Sequence, residues 1–335
     1  MKINMKEWTD GIISRKEVVA VPVMTHPGIE QNGHTVKEAV SDGRVHAEAV
    51  ISLARQYPSA AAATIMDLTT EAEAFGAEIA FSDEAVPAVS GRLLSDVASI
   101  YQLQVPSLSA GRIPAYLKAN LIAAREIEDR PLLAGCIGPF SLAGRLYDMS
   151  EIMALIYEKP EAAHVLLAKC ADFIGKYCMA LKQTGANGVL MAEPAAGLLS
   201  NEDCMVFSSD YIKQIVDRVQ DEHFIVVLHN CGNTGHCTKA MVTTGAAAYH
   251  FGNKCQMEEV IKDVPPTALV MGNIDPVSIF KEGSPELMRK TVTDLLERMQ
   301  GYPNFVLSSG CDTPPHTPIA NIEAFFQTLK EWNKK

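Results

Sequence analysis

The sequence of 335 residues has few basic side chains and no long apolar run. Lysine and arginine total 29 against 40 aspartates and glutamates, which gives a formal net charge of −11. Nucleic-acid binders usually show a basic cluster, so this composition argues against a nucleic-acid partner. No apolar stretch approaches the length of a membrane span, and charged Glu7 and Asp10 follow Met1 too closely for a secretory signal. We therefore expect a cytoplasmic protein with no membrane partner.

Disulfides are not expected either, although the chain has 8 cysteines. They are scattered through a sequence of intracellular type, where reduced thiols with a metal-binding or catalytic subset are the usual state. Hydrophobic residues make up 47% and charged residues 21%, which is normal for a compact protein with a large core. The length suits one large α/β barrel or two ordinary domains, so length alone does not decide between them.

Eight short apolar runs recur along the chain, with helical patterns between them. They are almost continuously apolar, as expected of parallel strands that are buried on both faces. The runs span residues 18–24, 60–66, 132–137, 188–192, 224–228, 246–251, 268–272 and 305–309. Eight parallel strands are the number that a (β/α)₈ barrel requires. The pattern therefore predicts an α/β fold with one barrel domain over residues 1–335.

Two segments between the runs carry further expectations. Residues 36–56 place apolar side chains on one stripe at helical spacing, which predicts one amphipathic helix. Residues 67–130 are too long for a simple connection. We interpret them as an insertion over the barrel mouth, where the active-site loops of such barrels lie.

Three potential metal ligands follow two of the apolar runs. His229 and Cys231 come directly after the fifth run, and Cys311 comes just after the eighth. Alternate residues at a strand end point the same way, and the carboxyl ends of barrel strands hold the chemistry. Two thiolates and one imidazole with a free fourth position are typical of catalytic zinc. A structural interpretation stays open, because cysteine also behaves as a small buried hydrophobe.

A compact zinc knuckle is an alternative for the same segment. His236 and Cys237 extend the motif to H-x-C-x4-H-C. However, the preceding Thr234 and Gly235 are typical of a helix start, which would carry both side chains away from His229.

Polar residues also follow other runs. Glu193 comes after GVLMA, and a buried carboxylate needs a metal, a cation or hydrogen bonds. We predict that Glu193 is catalytic, as a proton acceptor or a replaceable zinc ligand. The alternative is a structural acid that accepts hydrogen bonds from loop amides. Further candidates, for substrate binding, are Gly138, Phe140, His250, Asn273 and Asp275.

Six segments of this chain resemble the uroporphyrinogen decarboxylase superfamily, and more closely its corrinoid branch, the methylcobamide:coenzyme M methyltransferases and their bacterial relatives. The segments are TTEAEAFGAEI (69–79), GPFSLAG (138–144), MAEP (191–194), HNCGNT (229–234), MGNIDP (271–276) and SSGCDTPPHTPIANIEAF (308–325). The GNIDP and TP-x-x-N pieces resemble the whole superfamily. The H-x-C pair with a distant cysteine is the specific piece, because it resembles the zinc signature of the methyltransferase branch.

The resemblance implies a (β/α)₈ barrel with Zn²⁺ bound by His229, Cys231 and Cys311. It also implies that a small thiol such as coenzyme M takes the open position and is held as a thiolate. That thiolate would attack the methyl group of a methyl-cobalt(III) corrinoid and leave cobalt(I). The methylcorrinoid would arrive on a separate corrinoid protein that docks over the barrel mouth. The upstream methyl donor and the oligomeric state are not predicted.

Three other functions remain open from the sequence. Uroporphyrinogen decarboxylases grip a polycarboxylate through an arginine motif near the first strand, whereas this chain has no arginine between Arg15 and Arg44. A cobalamin-independent methionine synthase also binds zinc through H-x-C and a later cysteine, but this chain lacks a second barrel. A non-catalytic barrel that binds a corrinoid or a partner protein is the third possibility.

Overall fold

The computed structural model describes residues 3–334, which contain a curled parallel sheet. The strands of this part of the chain are β1 Ala62–Ala63, β2 Glu78–Ala80, β3 Ala88–Ser90, β4 Leu132–Ile137, β5 Gly188–Ala192, β6 Ile225–Asn230, β7 Ala248–Phe251, β8 Leu269–Ile274 and β9 Phe305–Ser309. Strands β1 and β4 to β9 form a seven-stranded sheet in chain order, and all six pairings are parallel. Strands β2 and β3 form a separate antiparallel pair.

The sheet closes through residues 18–24, the first predicted strand. Ala20 forms a parallel bridge with Leu307 of β9, and its carbonyl accepts a hydrogen bond from Ala60 N at 2.8 Å, just before β1. The segment therefore occupies the eighth position between the last and the first regular strands. It is not itself a regular strand, and Pro22 within it has no amide hydrogen to donate to a ladder. The predicted (β/α)₈ barrel is confirmed, with this one irregular member.

Helices connect the strands and surround the sheet. The α-helices within residues 3–334 are α1 Met5–Ser14, α2 His26–Gln31, α3 Val36–Ser41, α4 Gly43–Gln56, α5 Thr70–Ala74, α6 Val97–Gln102, α7 Ile113–Glu126, α8 Pro139–Tyr147, α9 Met149–Glu158, α10 Pro160–Gln183, α11 Asn201–Cys204, α12 Asp210–Val219, α13 Thr238–Val242, α14 Met257–Asp263, α15 Pro285–Arg298 and α16 Ile319–Trp332. In the described part of the chain, none of these helices has the length and apolar character needed to span a bilayer.

Residues 36–56 form two helices, so the prediction of one helix was wrong. Asp42 has an extended backbone between α3 and α4, and its side chain accepts a hydrogen bond from Arg44 N at 2.7 Å. This side chain caps the second helix and offers the backbone an alternative to continuous helix. The apolar stripe continues across the break, because both helices pack on the same side. Periodicity alone therefore does not reveal the capping residue.

Alternation along the strands separates an inner core from an outer layer. On β6, Ile225 and Val227 belong to the inner core, whereas Val226 and Leu228 pack in the outer layer with the helices. Helix α1 also belongs to the inner core through Met5, so it covers one end of the barrel. This two-residue period decides which polar side chains at the strand ends enter the barrel.

The segment 67–130 contains α5, the β2–β3 pair, α6 and α7. An ion-pair network joins the beginning of this segment to the first turn of α7. The carboxylate of Asp67 is bound by the guanidinium of Arg112, which also donates to Glu73 at 2.6 Å, and by Tyr116 Oη at 2.7 Å. Burial alone would raise the pKa of Asp67, but the charge and hydrogen bonds of Arg112 outweigh it and lower that pKa. That the segment covers the barrel mouth remains a prediction.

Candidate metal centre

His229, Cys231 and Cys311 come together at the carboxyl ends of β6 and β9. Their potential ligand atoms all lie within 4.8 Å of one another, and Cys311 Sγ lies 3.7 Å from His229 Nε2. His229 is buried, whereas the two cysteines are partly exposed. On β6, the inner-face residues Ile225 and Val227 are followed at the same spacing by His229 and Cys231. Strand alternation therefore carries both side chains to the inner end of the barrel.

The two thiols influence each other's protonation. The hydrogen bond from the Cys311 thiol lowers the pKa of Cys231 below its ordinary value of 9.0, and the positive charge of Lys254 acts in the same direction. The same hydrogen bond and burial raise the pKa of Cys311. Cys231 is therefore the thiol that ionises first, and a thiolate is the form of cysteine that binds metals.

Two glycines allow the loops around these thiols to approach closely. A Cβ atom on Gly252 would lie 2.8 Å from Cys231 Cα, and one on Gly310 would lie 2.6 Å from Asn253 N. Real side chains do not tolerate such distances to backbone atoms. The loop that follows β7 is therefore packed directly against both ligand-bearing segments.

His250 contacts the histidine of the centre directly. Its Nδ1 lies 2.7 Å from His229 Nδ1, and its Nε2 lies 2.8 Å from Ser308 Oγ. Ser308 in turn donates to the carbonyl of Val21 at 2.7 Å. His250 is 0% exposed, so the predicted substrate contact is not supported by this arrangement. The inner-face position of His250 on β7 instead places it beside His229.

Glu193 lies on the neighbouring strand end but faces the other way. Its backbone amide donates to the carbonyl of His229 at 2.8 Å, yet its side chain continues the outer-layer position of Met191. The carboxylate accepts hydrogen bonds from the amides of Phe140 at 2.7 Å and Ser141 at 3.1 Å, at the start of α8, and from Ser208 Oγ at 3.0 Å.

These contacts match the structural alternative for Glu193 more closely than the catalytic prediction. Glu193 is 1% exposed and is not one of the residues whose ligand atoms gather around His229. Burial raises the pKa of Glu193 to about 7, against the amide hydrogen bonds, which lower it. A carboxylate bound at a helix start is stabilised by the amides and the helix dipole. A role in proton transfer stays a prediction that the experiments below can test.

The turn of residues 138–140 packs around the carboxylate of Glu193. Gly138 leaves the space that Glu193 occupies, because a Cβ atom there would overlap its carboxylate. The ring of Phe140 is 0% exposed and packs in the outer core. Substrate contacts were predicted for both residues, but the structure uses Gly138 for close packing and the side chain of Phe140 for the core.

The two polar residues at the end of β8 also have structural partners. Asn273 Nδ2 donates to the carbonyls of Gly252 at 2.9 Å and Cys255 at 2.8 Å, which fixes the loop beside the metal ligands. Asp275 accepts hydrogen bonds from Val277 N at 2.8 Å and from Asn253 Nδ2 at 2.6 Å. Both remain partly exposed, so their predicted substrate contacts stay predictions.

The zinc knuckle receives no support. Cys237 is the N-cap residue of α13 and is buried, with its thiol directed at the carbonyls of Ala196 and Leu199. Nε2 of His236 likewise lies 3.0 Å from the carbonyl of Leu199. Within residues 3–334, the group of His229, Cys231 and Cys311 is the only close set of three or more histidine, cysteine or acidic ligands.

The geometry and the donor set fit one zinc ion. Bond lengths of about 2.3 Å to sulfur and 2.0–2.1 Å to nitrogen, at tetrahedral angles, separate two ligand atoms by about 3.5–3.8 Å. The distance of 3.7 Å between Cys311 Sγ and His229 Nε2 agrees with this spacing. Three protein ligands leave one tetrahedral position for another molecule, which is the pattern of catalytic rather than structural sites.

Sequence reasoning did not identify every residue that shapes this centre. Ser308, Gly252 and Gly310 were not singled out as site residues. Ser308 follows Val306 of the inner core with strand spacing, so its inward direction could have been inferred from alternation. The glycines carry no comparable signal, because their role depends on loops that are distant in sequence.

The fold and the centre together define a class: a (β/α)₈ barrel with a histidine and two cysteines gathered at the carboxyl ends of its strands. Uroporphyrinogen decarboxylase (URO-D) is the family that matches residues 13–332. The chain therefore belongs to the uroporphyrinogen decarboxylase family.

Proteins similar to this chain differ in their named activities. Methylcobamide:CoM methyltransferase MtbA of Methanosarcina mazei is 28% identical over 270 residues, which cover 79% of this chain and 78% of that protein. Uroporphyrinogen decarboxylase of Legionella pneumophila strain Lens is 26% identical over 291 residues, which cover 85% of this chain and 82% of that protein.

Solved structures support the same fold. A methyltransferase from Methanosarcina mazei aligns with a TM-score of 0.88 at 22% sequence identity and covers 99% of this chain and 98% of that one. A B12-independent methionine synthase from Shewanella sp. W3-18-1 aligns with a TM-score of 0.58 at 11% identity and covers 95% and 96% of the two chains. At these identities the likeness concerns the barrel fold alone.

Proposed function

We propose that this protein is a zinc-dependent methyltransferase that moves a methyl group from a methylated corrinoid to a small thiol such as coenzyme M. The observation that carries the proposal is the convergence of one imidazole and two thiols within 4.8 Å at the barrel's strand ends. The similarity to methylcobamide:CoM methyltransferase MtbA supports the choice of methyl donor and acceptor. We also propose a cytoplasmic location and a corrinoid-carrying protein as the partner.

The residues of this chain supply binding and orientation in the proposed reaction. His229, Cys231 and Cys311 would hold the zinc ion and leave one position open. A zinc ion bound there supplies a site where a thiol is kept deprotonated at neutral pH, which makes its sulfur a better nucleophile. The neighbouring Cys311 thiol lowers the pKa of Cys231, which favours the thiolate form in which a cysteine binds metals.

The proposed reaction is tested by metal analysis and methyl transfer on one sample. The purified protein should contain about one zinc per chain and should demethylate methylcobalamin in the presence of coenzyme M. A panel of thiols, including 2-mercaptoethanol and homocysteine, identifies the preferred acceptor. A zinc-free preparation that demethylates methylcobalamin as fast as the zinc-loaded one would contradict the proposal.

Decarboxylation of a uroporphyrinogen is the second candidate, because relatives with that name cover 85% of this chain. The residues of this chain support decarboxylation less well than methyl transfer. The first-strand segment carries no arginine for a polycarboxylate, and a decarboxylase gives no reason for two thiols and an imidazole to converge. Loss of carboxylates from uroporphyrinogen, measured on the same protein, would favour this candidate instead.

A further inference from the structure

A chain of hydrogen bonds runs inward from the histidine of the proposed zinc centre. It links β6, β7 and β9 with the irregular first strand. His229 Nδ1 lies 2.7 Å from His250 Nδ1, His250 Nε2 lies 2.8 Å from Ser308 Oγ, and Ser308 Oγ lies 2.7 Å from the carbonyl oxygen of Val21. All three side chains are buried, so water does not compete for these contacts.

The direction of every bond follows from the carbonyl at the inner end. A carbonyl oxygen only accepts, so the single hydroxyl hydrogen of Ser308 is donated to Val21. Ser308 Oγ must then accept from His250, which places a proton on His250 Nε2. A neutral imidazole with a proton on Nε2 has a lone pair on Nδ1.

The same reasoning fixes the tautomer of His229. Two nitrogen lone pairs cannot face each other at 2.7 Å without loss of the hydrogen bond, so His229 Nδ1 carries the proton that lies between the two rings. The lone pair of His229 is then on Nε2, the atom that lies 3.7 Å from Cys311 Sγ. This is the nitrogen that the proposed zinc ion would bind.

We propose that His250 and Ser308 are positioning residues that hold His229 in the zinc-binding tautomer and orientation. The inference rests on the proposed function, because it assigns these residues a purpose toward the zinc ion. Metal-binding histidines commonly donate their second N–H to a carboxylate or carbonyl; here the acceptor is another histidine, itself oriented by a serine. Loss of such an outer partner typically lowers metal affinity about 10–100-fold.

Three variants and one control test this positioning role of His250 and Ser308, which we call the His250–Ser308 relay. His250→Leu removes the acceptor and should weaken zinc binding about 10–100-fold in competition with a chromophoric chelator. His250→Gln keeps an oxygen for His229 and an amide for Ser308, so its affinity should stay within a few-fold of wild type. Ser308→Ala should fall between them. Ser309→Ala, which removes a hydroxyl that is hydrogen-bonded to the backbone of Val23, should bind zinc normally.

Two further readouts separate positioning from general damage. Melting of the metal-stripped variants shows whether each one folds, and if His250→Leu does not fold, the smaller change in Ser308→Ala decides. The absorption spectrum of the cobalt(II)-substituted protein should change in His250→Leu and be retained in His250→Gln. Equal zinc affinity in wild type, His250→Leu and Ser308→Ala would overturn the positioning role but not the proposed function. Equal losses of zinc affinity in His250→Leu and His250→Gln would do the same. A wild-type protein that binds no zinc would instead overturn the proposed function.

Discussion

His229 and Glu193 are neighbours in the barrel wall, yet they belong to different parts of the molecule. They lie at the carboxyl ends of the adjacent strands β6 and β5, and the amide of Glu193 donates to the carbonyl of His229 at 2.8 Å. The imidazole points into the barrel toward two thiols, whereas the carboxylate points outward to the start of α8. Proximity in the backbone therefore does not predict a shared site. The alternation of side chains along each strand determines whether a residue faces the inside or the outside of the barrel.

The largest expected effect concerns the thiols that the inward-facing His229 approaches. Cys231→Ser should reduce the zinc content from about one per chain to near zero and abolish methyl transfer, since a serine hydroxyl is a poor ligand beside a thiolate and an imidazole. The fold should persist, because Cys231 is partly exposed and lies above the apolar core. Metal analysis and circular dichroism measure the two outcomes.

Cys237→Ser is the matched control for that experiment. Its thiol lies in the same loop region but is directed at backbone carbonyls, so zinc content should stay normal. If Cys237→Ser loses zinc as completely as Cys231→Ser, the compact knuckle would have to be reconsidered.

The next largest effect concerns the outward-facing Glu193. Glu193→Ala removes the acceptor of two buried amides and one hydroxyl, and should lower the free energy of unfolding by about 3–5 kcal/mol. Zinc content should remain close to one per chain if the carboxylate only supports α8. Urea unfolding and metal analysis test both statements. A stable Glu193→Ala protein that lacks zinc would place the carboxylate functionally with His229.

Protonation of Glu193 offers a finer test of the same assignment. Burial raises its pKa from 4.5 to about 7 in the folded protein. The stability that this group contributes is therefore fully present below pH 4.5 and is lost as the pH rises through about 7. Relative to Glu193→Gln, wild type should lose up to about 3 kcal/mol between pH 4.5 and pH 8.

Unfolding free energies at four pH values across this range measure the difference. Glu71, whose pKa burial also raises to about 7, is present in both proteins and cancels. The pH–rate profile of Glu193→Gln should match that of wild type. A rate loss that is greatest at low pH, with unchanged stability, would restore Glu193 to the role of proton acceptor.

The smallest expected effect concerns the other end of α8. Arg145 is partly buried and, within residues 3–334, has no hydrogen-bonded acceptor or ion pair, although the charge of Asp67 acts on it. We predict that Arg145 binds the acid group of the thiol substrate, if the substrate carries one. Arg145→Ala should then raise the KM for coenzyme M about tenfold and leave that for neutral 2-mercaptoethanol unchanged.

Arg125 is an exposed arginine on α7, and Arg125→Ala is the control, which should change the KM for neither thiol. Parallel increases for both thiols in Arg145→Ala would show that the guanidinium supports the fold rather than the acid group.

Much of the barrel and of the centre could be predicted from the sequence, because both follow from short periodic patterns. The apolar runs indicated buried parallel strands, and the H-x-C spacing placed two side chains on one face. Glu193 was harder, because GVLMA is apolar on both faces and its pattern does not tell inward from outward positions. The relay partner Ser308 and the cap at Asp42 depend on individual hydrogen bonds, which hydrophobic periodicity does not record.

The closure of the barrel through residues 18–24 has a consequence for the order of folding. The bond between Ser308 and Val21 joins residues 287 positions apart, and Thr25 bonds to Asp312 across the same interval. Contacts of such long range form late, because the intervening chain must first lose much of its freedom. During synthesis, His229 and Cys231 leave the ribosome well before Cys311 does. If the proposed zinc ion requires all three ligands, it would bind only after the chain around Cys311 has met the end of β6, so zinc uptake would report the assembly of β9 with the earlier part of the barrel.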